Sequence, residues 1–401
     1  MTVASHVPTF LRRAGEFDPD PEITALRDGE GIARVTTPFG YDAWLVTRHV
    51  DAREVLSDTR RFSVAANGDR TDETAHAGMT DEDVARERAG DLMAHDPPEH
   101  TRLRRRLTPA FTGRQVRLLE PWIERVVAEH LDAMASHGHP VDLVESFAVP
   151  VPLLVICELL GVPYGDRADL HRLSTRPLDL TLPPHERTAA FRELRAYMAT
   201  LAERVRAEPG GGLLGALVRE HGDEIGTDEL TGIGHLMLVA GHETTATMLA
   251  QGTLALLRHP DQLRIIRDGP DGVDAAVEEL LRWLTILNVV SPRVATEPVV
   301  LAGRRIEAGE MVLVSLPAAN RDPSLVRDPD VLDVTRTASH IAFGHGAHRC
   351  LGAPLARAEL RIALPALLRR FPTLRLADPD AAVDLRPPGI LHGAARLPVS
   401  W

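Results

Sequence analysis

The feature that most restricts how this chain can fold is the run from Asp228 to Leu257, which is apolar on nearly every face. Ile233, Leu236, Met237, Leu238, Val239, Met248, Leu249, Leu254, Leu256 and Leu257 are spread around the helical wheel, and His259-Pro260 ends the pattern. At 1.5 Å per residue such a helix is roughly 45 Å long, about the width of a domain. A helix without a polar face belongs inside a large protein. Yet its middle reads Ala240-Gly241-His242-Glu243-Thr244-Thr245. Polar groups buried there cost free energy unless they are paired or used. The threonines could simply bond back to their own helix, and His242, alone on a helix, reads as structural.

The second marked stretch is Phe343-Gly344-His345-Gly346-Ala347-His348-Arg349-Cys350-Leu351-Gly352. A helix-like run from Ala353 to Leu360 follows, with Pro354 where a first turn tolerates proline. Cys350 therefore sits just before a helix N-terminus, where N–H groups and the dipole favour an anion. A thiolate there would have a lowered pKa and ligate metal well. Gly346 and Gly352 lack a Cβ, so backbone can close around the sulfur. The other state open to a lone thiol is a buried structural cysteine.

The chain has 401 residues, enough for one large or two medium domains, and 44% of them are hydrophobic. Its abundance of Ala, Leu, Arg and Val, with aromatics at 4%, suits helices. Cys157 lies in the apolar run Leu153–Cys157, and with Cys350 the only other cysteine no disulfide framework is indicated. Met1 to Leu11 holds no apolar run long enough for a signal or membrane anchor, so a soluble cytoplasmic protein is expected. A net charge of −12 argues against general nucleic-acid binding.

In chain order, Ile32–Val35 and Ala43–Val46 read as strands, and helices are expected over His49–Leu56, Asp96–Leu107, Val116–Ala135, Pro152–Leu160, His185–Ala207 and Gly212–Glu220. Residues 63–91 read as a loop with one short helix, of a length that often covers a site. Pro177 to Pro184 breaks the helical series, either as a lid or as plain linker. His100 and Arg104, four apart, share one helix face. They offer two donors to an anion, or form a solvated basic face. Glu279 and Arg282 are three apart and can pair. Further strands fall at Val299–Ala302, Arg304–Glu307 and Met311–Ser315.

These motifs resemble the cytochrome P450 family along nearly the whole chain. Phe343, Gly346, Cys350 and Gly352 fill each fixed position of its cysteine-ligand loop, Phe-x-x-Gly-x-x-x-Cys-x-Gly, and Ala240 to Thr244 match its central-helix motif, Ala/Gly-Gly-x-Asp/Glu-Thr. The resemblance implies one mainly α domain over residues 1–401, with a long central helix over a buried haem. A small β region would come from about residues 30–48 and 293–316 plus a C-terminal hairpin. It implies haem b with Cys350 as axial thiolate, which favours O–O cleavage. His100, Arg104, Arg293 and His348 would hold the propionates, Ala240 and Gly241 would leave room for dioxygen, and Glu243 and Thr244 would deliver protons as a catalytic pair. Glu279 and Arg282 would form a buried structural pair. The family's third basic residue there is replaced by Val331, with Arg321 or Arg336 able to substitute.

The implied activity is insertion of one oxygen atom from O₂ into a bulky lipophilic molecule such as a macrolide, terpenoid or steroid. Leu236, Val239, Ala240, Val289, Val290, Ile390 and Leu391 are the expected pocket, Ile390 and Leu391 from a hairpin tip at Gly389–Gly393. No flavin or iron–sulfur motif is present, so electrons would come from a ferredoxin and its reductase. Arg102, Arg104, Arg105, Arg106, Arg349, Arg357 and Arg361 form the expected docking face, or else are scattered solvated charges. Peroxide-driven oxidation, phenol coupling and a non-enzymatic haem sensor are the alternatives. The Glu243–Thr244 pair weighs against them, and a zinc-thiolate site fails for want of cysteine partners near Cys350.

Overall fold

The structure, a computed structural model, describes residues 7–401 except 39, 68–79, 168–169, 171, 174–175 and 177–181. Most of the Pro177–Pro184 break therefore lies outside the described residues, as does much of the 63–91 loop. The described part of that loop holds the expected short helix. The helices are α1 (Pro21–Asp28), α2 (His49–Ser57), α3 (Asp81–Arg88), α4 (Glu99–Leu107), α5 (Gly113–His137), α6 (Pro150–Leu160), α7 (Pro184–Ala207), α8 (Gly212–His221), α9 (Thr227–Arg258), α10 (Pro260–Asp268), α11 (Val273–Leu284), α12 (Leu316–Asn320) and α13 (Ala353–Arg370).

Local chemistry sets several of the helix ends. Thr80 and Asp83 form a reciprocal capping box at the start of α3. In α9, Asp228 and Glu229 sit at the positive end of the dipole, and Pro260 forces His259 out of helical geometry. α9 is the expected central helix. It is buried along almost its full length and packs against α6, α7 and α13. The main apolar cluster surrounds it, drawing on α5, α6, α11 and α13 as well.

A five-stranded sheet stands to one side, in the order Ile32–Thr36, Asp42–Val46, Met311–Val314, Arg293–Ala295, Phe62–Ser63. Met311 to Val314 run parallel to Ala43 to Val46 and antiparallel to Arg293 and Val294. The sheet thus joins strands from both expected β regions over its own apolar cluster, while Val299–Leu301 and Arg304–Ile306 pair with each other in a separate two-stranded sheet. The C-terminus divides in two. Leu385 bridges Ala394 in a hairpin, while Pro398–Ser400 joins Arg375–Leu376 and Val141–Asp142 in a separate three-stranded sheet. Among the described residues no helix is long and apolar enough to cross a membrane.

Candidate active site

A deep cavity opens between α9 and the Phe343–Gly352 loop, with α4 and Arg293 at one side and α13 beneath. The loop closes on itself, because Cys350 donates its N–H to the Phe343 carbonyl at 2.8 Å. Gly346 has φ +71°, and a Cβ there would lie 2.4 Å from the Leu56 carbonyl oxygen. Glycine is required both by the left-handed backbone and by the seat against α2. Gly352 is less constrained by protein, since a Cβ would stand 4.0 Å from the Cys350 sulfur.

Cys350 is accessible because it lines the cavity, although protein surrounds the cavity on most sides. Burial pushes its thiol above the usual range, reversing the lowered value expected from its place in the chain. The Gly352 and Ala353 N–H groups and the Arg104 and Arg349 guanidiniums pull the other way, as the helix N-terminus predicts, but desolvation outweighs them. What would stabilise a thiolate is assembled; a cation bound to the sulfur would tip the balance.

Four donors converge on the same cavity. The His100 and His348 rings lie 4.1 Å apart between centroids. Arg293 is buried and spends one N–H on the Ser291 carbonyl at 2.8 Å. Among the described residues, His100 Nδ1, both His348 ring nitrogens and Arg293 Nε have no hydrogen-bond partner. Burial, with Arg293 and His100 adjacent, drives His348 down to about 3; burial alone takes Arg293 down to about 10. Burial also lowers Arg104. The nearby carboxylate, Asp96, already accepts from Ser63, Val64 and Ala65. Buried donors without acceptors are costly. Two arginines and two histidines beside a thiol therefore fit a tetrapyrrole that carries acidic side chains, the haem the sequence implies.

At the centre of α9, Ala240 and Thr244 line the cavity. The Thr244 hydroxyl donates to the Ala240 carbonyl at 2.7 Å, and Thr245 to Gly241 at 3.2 Å. Back-bonding and a place at the cavity thus coexist. With its hydrogen committed, the Thr244 oxygen offers lone pairs to whatever lies in the cavity. Gly241 also lines it, but a Cβ there would meet Ile156 at 3.0 Å. Its missing side chain lets Ile156 of α6, which also lines the cavity, approach the central helix. His242 is fully buried with Nε2 3.2 Å from the Val149 carbonyl, a structural contact. Glu243 does not line the cavity. It is buried on another face of α9 and pairs with Arg386 at 2.7 Å.

Of the expected pocket residues, Leu236, Ala240 and Val290 line the cavity. Val239 packs on the main core, one residue or about 100° of turn from Ala240. Val289 faces opposite to Val290, bridges Ser315 and joins Phe10, Leu11 and Met311 in a small apolar cluster. Leu391 bridges Leu287 and packs on the main core, while Ile390 at the hairpin tip is 60% exposed. The sequence reading missed Met93, Met237, Met248, Ile286 and Leu287. Met237 and Met248 lie seven before and four after Thr244, a spacing that would have found them. It also missed Glu359, fully buried on α13 at the cavity, with Oε2 unpartnered and its acid pushed well above the usual range by burial.

The scaffold pair is present. Arg282 binds both Glu279 oxygens at 2.7 and 2.8 Å, with both side chains buried. Arg336 stands 3.3 Å from Glu279, so it, rather than Arg321, supplies the third basic group. Arg321 stacks on Trp283 and pairs with Asp330. The expected basic face is largely neutralised. Arg102 and Arg106 pair with Glu229, Arg357 with Glu278 and Arg361 with Asp274. Arg105 and Arg349 are exposed without an acidic partner among the described residues.

The chain is similar to known proteins along its whole length. The family model described as Cytochrome P450 matches residues 272–388. Cytochrome P450 FAS1 of Rhodococcoides fascians is 44% identical over 410 residues, covering 100% of both chains. Mycinamicin IV hydroxylase/epoxidase of Micromonospora griseorubida is 41% identical over 94% of each. The structure of P450 StaH from glycopeptide antibiotic A47934 biosynthesis has a TM-score of 0.88 at 47% identity, covering 99% of this chain and 100% of that one. The chain belongs to the cytochrome P450 family. It is a P450 monooxygenase with a haem-thiolate cofactor.

Proposed function

We propose that this protein inserts one atom of O₂ into a bulky, lipophilic natural product, by hydroxylation or epoxidation. The observation that carries this reading is that Thr244 and Cys350 share one cavity that is also lined by Leu236, Met237, Ala240, Ile286, Leu287 and Val290. An apolar wall of this kind excludes water and orients a substrate by shape more than by hydrogen bonds. The relative that acts as mycinamicin IV hydroxylase/epoxidase fits the same substrate class.

Haem b, ligated by Cys350, would supply the O–O cleavage and the oxidant. The chain's own residues supply the rest. His100, Arg104, Arg293 and His348 would hold the haem's propionates, which would give partners to His100 Nδ1, the His348 ring and Arg293 Nε. Thr244, its hydrogen held by Ala240, accepts a hydrogen bond from a proton-bearing water or ligand in the cavity and keeps it in place. Glu243 passes protons toward it from the solvent side. Electrons come from a ferredoxin that docks near Arg105 and Arg349, a smaller positive face than the sequence suggested.

The test begins with the carbon monoxide difference spectrum of the reduced protein. A thiolate-type Soret band supports Cys350 as ligand, and its absence in folded protein would withdraw the mechanism. Titration with macrolides, terpenoids and steroids then identifies the class that shifts the spin state. With that substrate, Thr244→Ala is expected to retain binding while diverting most reducing equivalents to hydrogen peroxide, with product formation down about tenfold or more. Unchanged product yield would remove Thr244 from the mechanism.

A further inference from the structure

The cavity wall that follows α11 runs from Thr285 to Val290 as irregular chain, with bridges from Leu287 to Leu391 and from Val289 to Ser315. Thr285, Ile286, Leu287 and Val290 line the cavity. Thr285 has φ +35°, a left-handed backbone that a β-branched residue keeps only where its surroundings impose it. Its hydroxyl accepts from Asn320 Nδ2 at 2.8 Å and donates to the Arg282 carbonyl at 2.6 Å. Its carbonyl, left over at the end of α11, accepts from Arg13 Nη2 at 2.6 Å. Arg13 opens an N-terminal hairpin, Arg13–Ala14 against Asp18–Pro19, and does not line the cavity. Its Nε donates to Asn288 Oδ1 at 2.7 Å. Asn288 is 2% exposed and spends its amide group on the Leu11 and Gly389 carbonyls, at 3.2 and 2.7 Å. Its backbone N–H goes to the Ile390 carbonyl at 2.8 Å. The His392 N–H donates to the Ile286 carbonyl at 2.8 Å, and the His392 ring bonds the Glu16 carbonyl at 2.9 Å. Glu16 is fastened to α9 by Arg258, at 2.7 Å, and by Gln251.

We infer that Arg13, acting through Asn288, is a positioning residue for substrate selection: it fixes the Thr285–Val290 wall and so decides which carbon of the substrate is presented for oxidation. The inference rests on the reading of this cavity as the substrate site. The wall has no ladder of its own to set its place. It hangs between a hairpin from each end of the chain, and the Arg13 and Asn288 side chains are the junction of all three segments. An apolar wall selects by shape, so its position is its specificity. A displacement of about 1 Å is enough to move a reacting carbon out of line, at a cost of up to about a hundredfold. The guanidinium fork is suited to the task, because one planar group reaches the Thr285 carbonyl and the Asn288 amide together.

The test uses the haem-loaded enzyme with its electron donors and the macrolide, terpenoid or steroid that shifts the wild-type spin state. Arg13→Gln is expected to raise that compound's Kd and KM about tenfold and to spread oxidation over further positions, with kcat within about threefold of the wild type. Imidazole, too small to need the wall, should bind as before. Without turnover, amide exchange over residues 285–291 should quicken about tenfold while α9 exchanges as in the wild type. Arg13→Lys keeps the cation but not the fork, so it should shift the product ratio less and in the same direction, and it serves if Arg13→Gln does not hold haem. Asn288→Ser should reproduce the Arg13→Gln pattern, and the double variant should change Kd by clearly less than the two singles combined. A lower melting temperature with wild-type product ratio, Kd and wall exchange would make Arg13 purely structural and overturn the inference. Leu287→Ala, made in the wall itself, separates the two readings. If it alters Kd and product ratio while Arg13→Gln does not, the inference alone falls; if it alters neither, the reading of the cavity as the substrate site falls with it.

Discussion

Two acids near the cavity show how differently burial can treat one functional group. Glu243 is buried against a guanidinium, whereas Glu359 is buried with no hydrogen-bond partner for Oε2 among the described residues, and desolvation alone raises its acid well above 4.5. The consequence for stability has a definite sign. Below the ordinary glutamate range both the folded and unfolded chains carry the proton, and Glu359 costs nothing. As pH rises past that range the unfolded chain releases its proton while the folded chain keeps it, so unfolding gains. Stability is lost at up to about 1.4 kcal/mol per pH unit until the folded group itself ionises. Glu359→Gln should therefore match the wild type near pH 4 and become the more stable protein toward neutral pH, as read by thermal unfolding across that range. Equal midpoints throughout would mean that Glu359 has a partner in solution. Nothing in the sequence pointed to this residue. Its neighbours Ala358 and Leu360 mark α13 as helical, but which face of α13 is buried is decided by the elements packed on both of its sides.

At the scale of elements, legibility followed the number of residues that vote. The expected Asp228–Leu257 helix is Thr227–Arg258, because apolar residues all round and a proline stop leave little alternative. The cysteine loop was legible for a different reason: each of its fixed residues answers a local demand of backbone or ligand. Single side chains fared worse where one step reverses direction. Val239 and Val289 were assigned to the pocket, yet each points away from it beside a neighbour that lines it. The Glu243–Arg386 pair joins residues 143 apart, a distance over which spacing carries no signal. The loop itself yields a test. Gly346 and Gly303 both have positive φ, but a Cβ on Gly303 would meet nothing within 4 Å, whereas on Gly346 it would strike the end of α2. Gly303→Ala should cost only the backbone strain, about 1–2 kcal/mol. Gly346→Ala should cost more and should also displace Cys350, so its reduced carbon monoxide spectrum should weaken at equal protein concentration. Equal losses of stability with full spectra in both would show that the loop can shift without moving the sulfur.

Across the whole molecule, the path from the central helical body to the cysteine loop runs through one buried ionic network. Arg282 on α11 binds Glu279 and also donates to the carbonyls of Asn320 and Pro329, both at 2.9 Å. Glu279 accepts from the Asp333 N–H at 3.1 Å and faces Arg336. Asn320 in turn accepts the Ile341 N–H at 2.8 Å, just before the loop begins, and donates to Thr285 beyond α11. A chain segment with little regular structure is thus held by groups that would be costly to leave unpaired. Removing one partner of a buried pair typically costs about 3–5 kcal/mol, because the other charge stays buried alone. Arg282→Met should lose that much in urea unfolding, and it should shed haem at denaturant levels where far-UV helicity is still intact, since Asn320 loses its tether to α11. Removing both charges, as in Glu279→Leu with Arg282→Met, should cost clearly less than the sum of the two single losses, because neither charge is then stranded. It should not return to the wild-type value, because the Asn320 and Pro329 carbonyls and the Asp333 N–H remain without partners, at about 1–3 kcal/mol each. Arg336→Met should be the mildest of the series, since Glu279 keeps both bonds from Arg282. If the single losses simply added, the network would be a set of independent contacts, and the loop's attachment to the helical body would have to be sought in the apolar packing of Ile341 and Leu316 instead.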